Sequence, residues 1–302
     1  MSQKATVLFD APGPRARRRN AIIGVLGIAL LAGGLAWVVY RFDQTGQFDS
    51  QKWDPFQYTA IQQMILDGLK ATLKAFALAV VFSLVLGALL AAARLSDHRP
   101  VRWAATAFVT FFRAMPLLIL IFFLYLAPAK LSYWPGFLDF INDDPMWPLV
   151  IGLSLYNGTV QAENMRAGIL ALPKGQSEAA YALGLRKYQV MTFILVPQGI
   201  RSMLPTIISQ MVVTLKDTSL GFLITYEELL FIAKRLGSYQ DYGLPLIPAA
   251  IVVGTIYIIS CMILSGVAVW LERFLSRGRK GRVQKIDVVS GETLGAGAGI
   301  SV

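Results

Sequence analysis

Two residue types that do much of enzyme chemistry are almost missing from this chain. Its 302 residues include one cysteine, Cys261, and one histidine, His98. A disulfide framework is therefore excluded. So are a Cys/His zinc site and a Cys–His nucleophile pair, because the two residues lie far apart in different kinds of sequence. Charge is also scarce. Only 15% of residues are charged, against about 25% in an ordinary soluble domain. No GxxxxGK[ST] phosphate loop occurs, so the chain carries no nucleotide site of that kind. No internal repeat is visible, which disfavours transporter folds built from two related halves.

What the chain has in abundance is apolar sequence. Hydrophobic residues make up 55% of it and the mean hydropathy is +0.56. Six runs read as membrane spans. Residues 21–40 carry no charge, are longer than a signal-peptide core and lack a small-residue cleavage site, so they read as an anchor. The second run is 75–93, begun near Ile65. The third goes from Trp103 to Ala129, interrupted by Arg113. The fourth goes from Met146 to Leu172 and contains Glu163 and Arg166. The fifth goes from Thr192 to Leu215 and contains Arg201, Pro197 and Pro205. The sixth, 242–271, is longer than a span requires. The net charge of +10 collects in alternate segments: Arg15–Arg19, Arg94–Arg102, Lys174–Lys187 and Arg273–Lys285. The intervening loops carry Asp43, Asp49, Asp54, Asp139, Asp143 and Asp144. The positive-inside rule then places both termini and the 173–197 loop in the cytoplasm. No single soluble segment gathers the cations, so nucleic acid is not an expected partner; membrane lipid is. The tail 286–302, ending in GETLGAGAGISV, is small and polar and reads as disordered.

The 173–197 loop is the most patterned polar segment. Ser177 is placed to cap a helix with Glu178 in its first turn. Ala179, Ala180 and Ala182 give helix propensity and a small, packable face. Gly184 is placed to end that helix, since glycine turns there without steric cost. Arg186, Lys187 and Tyr188 restart a short helix ahead of Pro197. Two short helices at an angle make a knob that can seat in a partner's groove.

Glu178-Ala179-Ala180, Gly184, Ile194 and Pro197 at this spacing resemble the EAA loop of ABC-importer permeases. Four other stretches resemble the polar amino acid branch of that family: Gly68–Leu73, Phe112–Leu117, Ala162–Ile169 and Leu215–Leu220. The resemblance covers residues 60–275. It departs at Ala114-Met115, Asn164-Met165 and Ala167, where the family carries Gly-Thr, Ile-Val and glycine. The leader Phe9–Pro14, followed by basic residues, looks like actinobacterial glutamate permease subunits.

The resemblance implies an all-α membrane protein with the type I ABC importer transmembrane fold. It would have a five-helix core at 60–275, an extra N-terminal span at 21–40, a basic tail at 1–20 and a tail at 276–302. It implies a cell-membrane subunit without catalysis or cofactor of its own. ATP and Mg would be held by two copies of a partner ATPase subunit. A second permease chain, identical or related, and an extracytoplasmic binding protein would complete the importer. Glu178, Ala179, Ala180, Gly184, Arg186 and Pro197 would contact the ATPase subunit.

Charges inside spans are costly and mark candidate substrate positions. A zwitterionic amino acid needs both signs of partner. Glu163 and Lys216 supply them from two helices, at positions that line the substrate path in the family, with Thr72 a weaker contact. Arg113 and Asp217 join the candidate set. Glu163 and Arg166, three residues apart, also face each other on one helix. Lys216 and Asp217, followed by renewed apolar sequence, point to a broken helix beside a cavity. Arg113, Arg166, Arg201 and Lys216 outnumber Glu163 and Asp217, which leans toward an anionic substrate such as glutamate. Glutamine and basic amino acids are the rival substrates, and a secondary transporter or channel is the rival class.

Overall fold

The computed structural model describes residues 13–130 and 139–276. Lys4, the leader's first four positions and the 286–302 tail lie outside them. The described residues form twelve α-helices: α1 Pro14–Gln44, α2 Ser50–Trp53, α3 Thr59–Arg94, α4 Arg99–Ala114, α5 Leu117–Lys130, α6 Phe140–Asp143, α7 Met146–Leu170, α8 Lys174–Ala182, α9 Lys187–Gln189, α10 Val196–Asp217, α11 Leu229–Gly237 and α12 Leu246–Ser276. A π-helical segment, Val190–Leu195, joins α9 to α10, and a 3-10 helix, Thr218–Ile224, follows α10.

Four stretches are long and apolar enough to cross a membrane: α1, α3, Lys187–Ile224 and Leu246–Val267. The third predicted span is not one rod. It breaks into α4 and α5 with a 98° bend. Pro116 explains the break, because it disfavours helical backbone at the preceding Met115, which is extended with ψ 129°. Counted as one span, the bent pair makes five. The predicted fourth span corresponds to α7. It is a 25-residue helix, about 37 Å long at 1.5 Å per residue. However, Asn157, Thr159, Gln161, Glu163, Asn164 and Arg166 make it too polar to qualify on apolarity.

The chain folds as two compact units. One comprises Met1–Ala77, Phe122–Leu149 and Thr218–Ile258. Its core joins Ile61 and Ile65 of α3, Leu229, Ile232, Ala233 and Leu236 of α11, and Ala249 and Val253 of α12. The 229/232/233/236 spacing gives α11 one apolar stripe, which explains both its helicity and its burial. Glu228 caps α11, accepting the backbone N–H groups of Leu230 and Phe231 at 2.8 Å each. The helix α1 also falls within this unit's residues but contributes no buried residue.

The other unit comprises Leu78–Ile121, Val150–Asp217 and Ile259–Val302. Here α7 and α10 cross closely. A β-carbon on Gly168 would lie 2.7 Å from the Gly199 carbonyl oxygen, and one on Gly199 would lie 2.7 Å from Ile169 Cγ1. Such small-residue contacts let helices approach in lipid, where apolar burial alone does not hold them together. Two side-chain amides tie the same pair. Gln161 Nε2 donates to the Ile207 carbonyl at 3.1 Å, and Gln210 Nε2 donates to Asn157 Oδ1 at 2.8 Å. Overpacking of this kind costs about 1–3 kcal/mol. Gly199→Val is expected to lower the melting temperature of the purified protein, whereas a valine at the open Gly175, where a β-carbon meets nothing within 4 Å, is expected to change it far less.

Candidate functional site: an exposed elbow and an arginine cluster

The elbow is built by a left-handed stop. After α8 the backbone of Gly184 turns to φ +78°. The Gly184 N–H donates to the Tyr181 carbonyl at 2.9 Å and the Leu185 N–H donates to the Ala180 carbonyl at 3.2 Å. This paired pattern is the Schellman termination, which favours glycine at its left-handed position. Arg186 then starts α9, and its N–H donates to Gln189 Oε1 at 2.9 Å. The predicted stop at Gly184 and restart at 186–188 are therefore both present.

Two details differ from the sequence expectation. Ser177 does not cap α8, because the helix starts earlier, at Lys174 after Pro173. The Ser177 hydroxyl instead donates to the Lys174 carbonyl inside the first turn at 2.8 Å. The second helix is not a short one either. From Lys187 it runs through the π segment into α10, so the elbow is the bent base of a long span. A π turn has one residue more than an α turn and is common at functional sites.

On the elbow, Glu178, Ala179, Gly184, Arg186 and Pro197 are exposed, while Ala180 is buried against its own chain. Large apolar groups also face outward: Leu183 is 83% exposed, and Tyr181, Tyr188 and Phe193 are open too. Lys187 anchors the base. Its Nζ donates to the Leu95 carbonyl at 3.3 Å and pairs with Asp97. That hydrogen bond holds the Asp97 carboxyl below its ordinary value.

The candidate substrate residues fall into separate groups. Glu163 and Arg113 come together, 3.6 Å apart. Glu163 also pairs with Arg166 at 2.7 Å and with Arg94. Among the described residues its cationic partners are thus three arginines, and Lys216 is not one of them. Arg94 escaped sequence reasoning because it ends α3 beside a basic loop and lies 69 residues from Glu163; it reads there as a topology signal. Lys216 is exposed and Asp217 half-buried where α10 passes into the 3-10 turn; the predicted break is absent there, since Lys187–Ile224 continues as one stretch with only a change of winding. Arg201 is exposed on α10.

Thr72 belongs to the first unit's packing. It is 1% exposed, its hydroxyl donates to the Gly68 carbonyl at 2.9 Å, and it accepts the Leu229 N–H at 3.1 Å. Tyr226 Oη donates to the Ala71 carbonyl at 2.8 Å beside it. In this structure Thr72 fixes the start of α11 and presents no surface to a ligand. Thr72→Val would strand the Leu229 N–H, at a cost of about 1–3 kcal/mol. Faster hydrogen exchange at the α11 amides would report it.

Apolar spans, one of them broken, joined by an ordered polar elbow that exposes hydrophobic side chains define a membrane permease domain. Residues 83–277 match the family described as binding-protein-dependent transport system inner membrane component, and the chain belongs to that family. It is therefore a membrane component of a bacterial transport system. It is 40% identical over 235 residues to the glutamate transport system permease protein GluD of Corynebacterium glutamicum, covering 78% of this chain and 83% of that one. It is 33% identical over 215 residues to the glutamate/aspartate import permease protein GltK of Escherichia coli O157:H7, covering 69% and 92%. Among solved structures, an amino acid ABC transporter superimposes with a TM-score of 0.60 at 26% identity, covering 70% of this chain and 94% of that one. The fold is that of type I ABC importer transmembrane domains.

Proposed function

We propose that this chain is the permease subunit of an ATP-driven importer for acidic amino acids, with glutamate as the principal substrate. The observation that carries the importer reading is the elbow, an ordered turn that leaves Leu183, Tyr181 and Tyr188 facing outward. An apolar group that open on a stiff turn fits a groove on a partner. The glutamate assignment draws on the names of the two relatives above and on the local excess of arginine around Glu163.

In this reading two ATPase subunits, each holding ATP and Mg, seat the elbows of two permease chains. Closure of the ATPase pair pushes the elbow, and the push travels through the π segment into α10. A binding protein outside the cell delivers the amino acid. Six spans, with α7 and the bent pair counted, put both termini and the elbow in the cytoplasm. Lys216 and Asp217 at the end of α10, and Arg113 beside Glu163, are the substrate contacts we assign.

The test is uptake of labelled glutamate in cells with and without this gene, with unlabelled aspartate, glutamine and arginine as competitors. Loss of glutamate uptake on deletion, with aspartate the strongest competitor, is the expected result. Unchanged glutamate uptake would overturn the substrate assignment. Uptake that persists without any ATPase subunit would overturn the mechanism.

A further inference from the structure

The cluster at Glu163 is unbalanced. Arg94 at the end of α3, Arg113 near the end of α4, and Arg166 on α7 share one carboxylate. Three guanidinium groups against one carboxylate leave a formal charge of +2. Arg94 is the most enclosed member, with its side chain 11% exposed, while Arg113 is 46% exposed. Hydrogen bonding is unbalanced in the same direction. The Nε–H groups of Arg94 and Arg166 are buried and find no acceptor among the described residues. A buried charged donor without an acceptor is costly, and a guanidinium fork matches a carboxylate in two-point geometry. One more carboxylate would correct both deficits at once.

The three arginines are not equally held. Arg166 and Arg94 grip opposite oxygens of Glu163. Arg113 stands back at 3.6 Å with its side chain 46% exposed, one residue before the backbone leaves α4 for the bent connection to α5. It is the most exposed of the three and the least tightly held.

We propose that Arg94, Arg113 and Arg166 form a carboxylate-reading site that Glu163 occupies as an internal substitute, and that the side-chain carboxylate of an acidic amino acid competes with Glu163 for it, beginning at Arg113. This rests on the acidic amino acid reading above but reverses the role of Glu163. It is the competitor of the substrate, not the ligand of its amine. The site selects by charge, because an amide of the same size cannot displace a carboxylate from guanidinium.

The two roles of Glu163 predict opposite signs. The full complex with its ATPase subunit, reconstituted in lipid nanodiscs without binding protein, would be titrated with labelled L-glutamate and L-glutamine. The unchanged complex is expected to bind L-glutamate in preference to L-glutamine. E163Q is expected to bind L-glutamate about tenfold more tightly and R113Q about tenfold more weakly, with L-glutamine little changed in either. Competition by succinate as effective as that by L-glutamate would support carboxylate reading. Competition by chloride that is as effective, at equal ionic strength, would overturn it. Weaker L-glutamate binding in E163Q, no acid preference in the unchanged complex, or no effect of R113Q would also overturn it. Should E163Q fail to assemble, the half-exposed R113Q carries the test, with E163D as the milder release of the same carboxylate. Glutamate uptake by cells carrying the unchanged gene separates the two levels. Uptake present with binding insensitive to these variants removes this inference alone, whereas absent uptake removes the acidic amino acid reading itself.

Discussion

Gly184→Arg is expected to reduce uptake to the level of a strain lacking the gene, while leaving a folded protein in the membrane. Two costs can be separated at this position. The left-handed backbone, φ +78°, penalises any side chain by about 1–2 kcal/mol. Space penalises none, since a β-carbon there meets nothing within 4 Å. Gly184→Ala therefore carries the backbone cost almost alone, and most transport should survive it. Arginine adds a long cation beside Leu183, on the surface we assign to the ATPase subunit, and blocks seating of the elbow. The measurement is ATP hydrolysis stimulated by loaded binding protein, run beside uptake for both variants. Loss of both signals in Gly184→Arg with retention in Gly184→Ala is the expected pattern. Normal transport in the arginine variant would remove the docking role from this face of the elbow. Equal loss in both would assign the effect to backbone geometry instead.

The second large effect concerns stability and lies at Glu228, between the apolar stretches Lys187–Ile224 and Leu246–Val267. This side chain is fully buried. Besides the two α11 amides, it accepts the Tyr257 hydroxyl at 2.7 Å. Glu228→Ala removes the acceptor of three half-buried donors and leaves a cavity. At about 1–3 kcal/mol for each stranded group, it is expected to cost roughly 3 kcal/mol or more, read as a lowered melting temperature of the purified protein. Glu228→Gln keeps the shape and an acceptor, so its cost should be much smaller.

Acidity at the same residue has a definite sign. Burial pushes the Glu228 carboxyl up to about 7 from an ordinary 4.5, against the pull of its three hydrogen bonds. Between those values the folded chain keeps a proton that the unfolded chain has released. The contribution of Glu228 to stability is therefore complete below about pH 4.5, declines through the window, and is gone above about pH 7. Melting temperatures measured from pH 5 to pH 8 should fall, and Glu228→Gln should flatten that fall. An unchanged slope in the glutamine variant would mean that another group sets it.

Glu228 also shows where sequence reading stopped. Beyond the apolar residues that follow Asp217, Glu227-Glu228 ahead of Leu229-Leu230 is an acidic helix start of the ordinary kind. It lies outside the long apolar runs, where a charge carries no insertion cost to mark it. The elbow was legible because its signals are local: a glycine stop, a polar restart and a proline, all within fourteen residues from Gly184 to Pro197. The bend between α4 and α5 was legible in principle from Pro116, but the apolar composition on both sides hid it. The pairing of Arg94 with Glu163 was not legible, since nothing local links two residues that tertiary structure alone brings together. Glu163 and Arg166 were seen as neighbours on a helix because a three-residue spacing reports such a pair directly.

The helix α1 has a consequence of another kind. None of its residues is buried by protein, and along its apolar stretch the side chains of Leu30 and Leu31 are more than 70% exposed. In hydrocarbon its backbone bonds are all internal, so it needs no neighbour to persist. Among the described residues, none packs on it closely enough to bury one of its side chains. Between Arg19 and Arg41 it offers an uncharged length of about 30 Å at 1.5 Å per residue, close to the hydrocarbon thickness of an average bilayer. Lipid thickness is then what orients it: in a thinner bilayer α1 leans and in a thicker one it stands upright, while the packed helices keep the angles their own contacts impose.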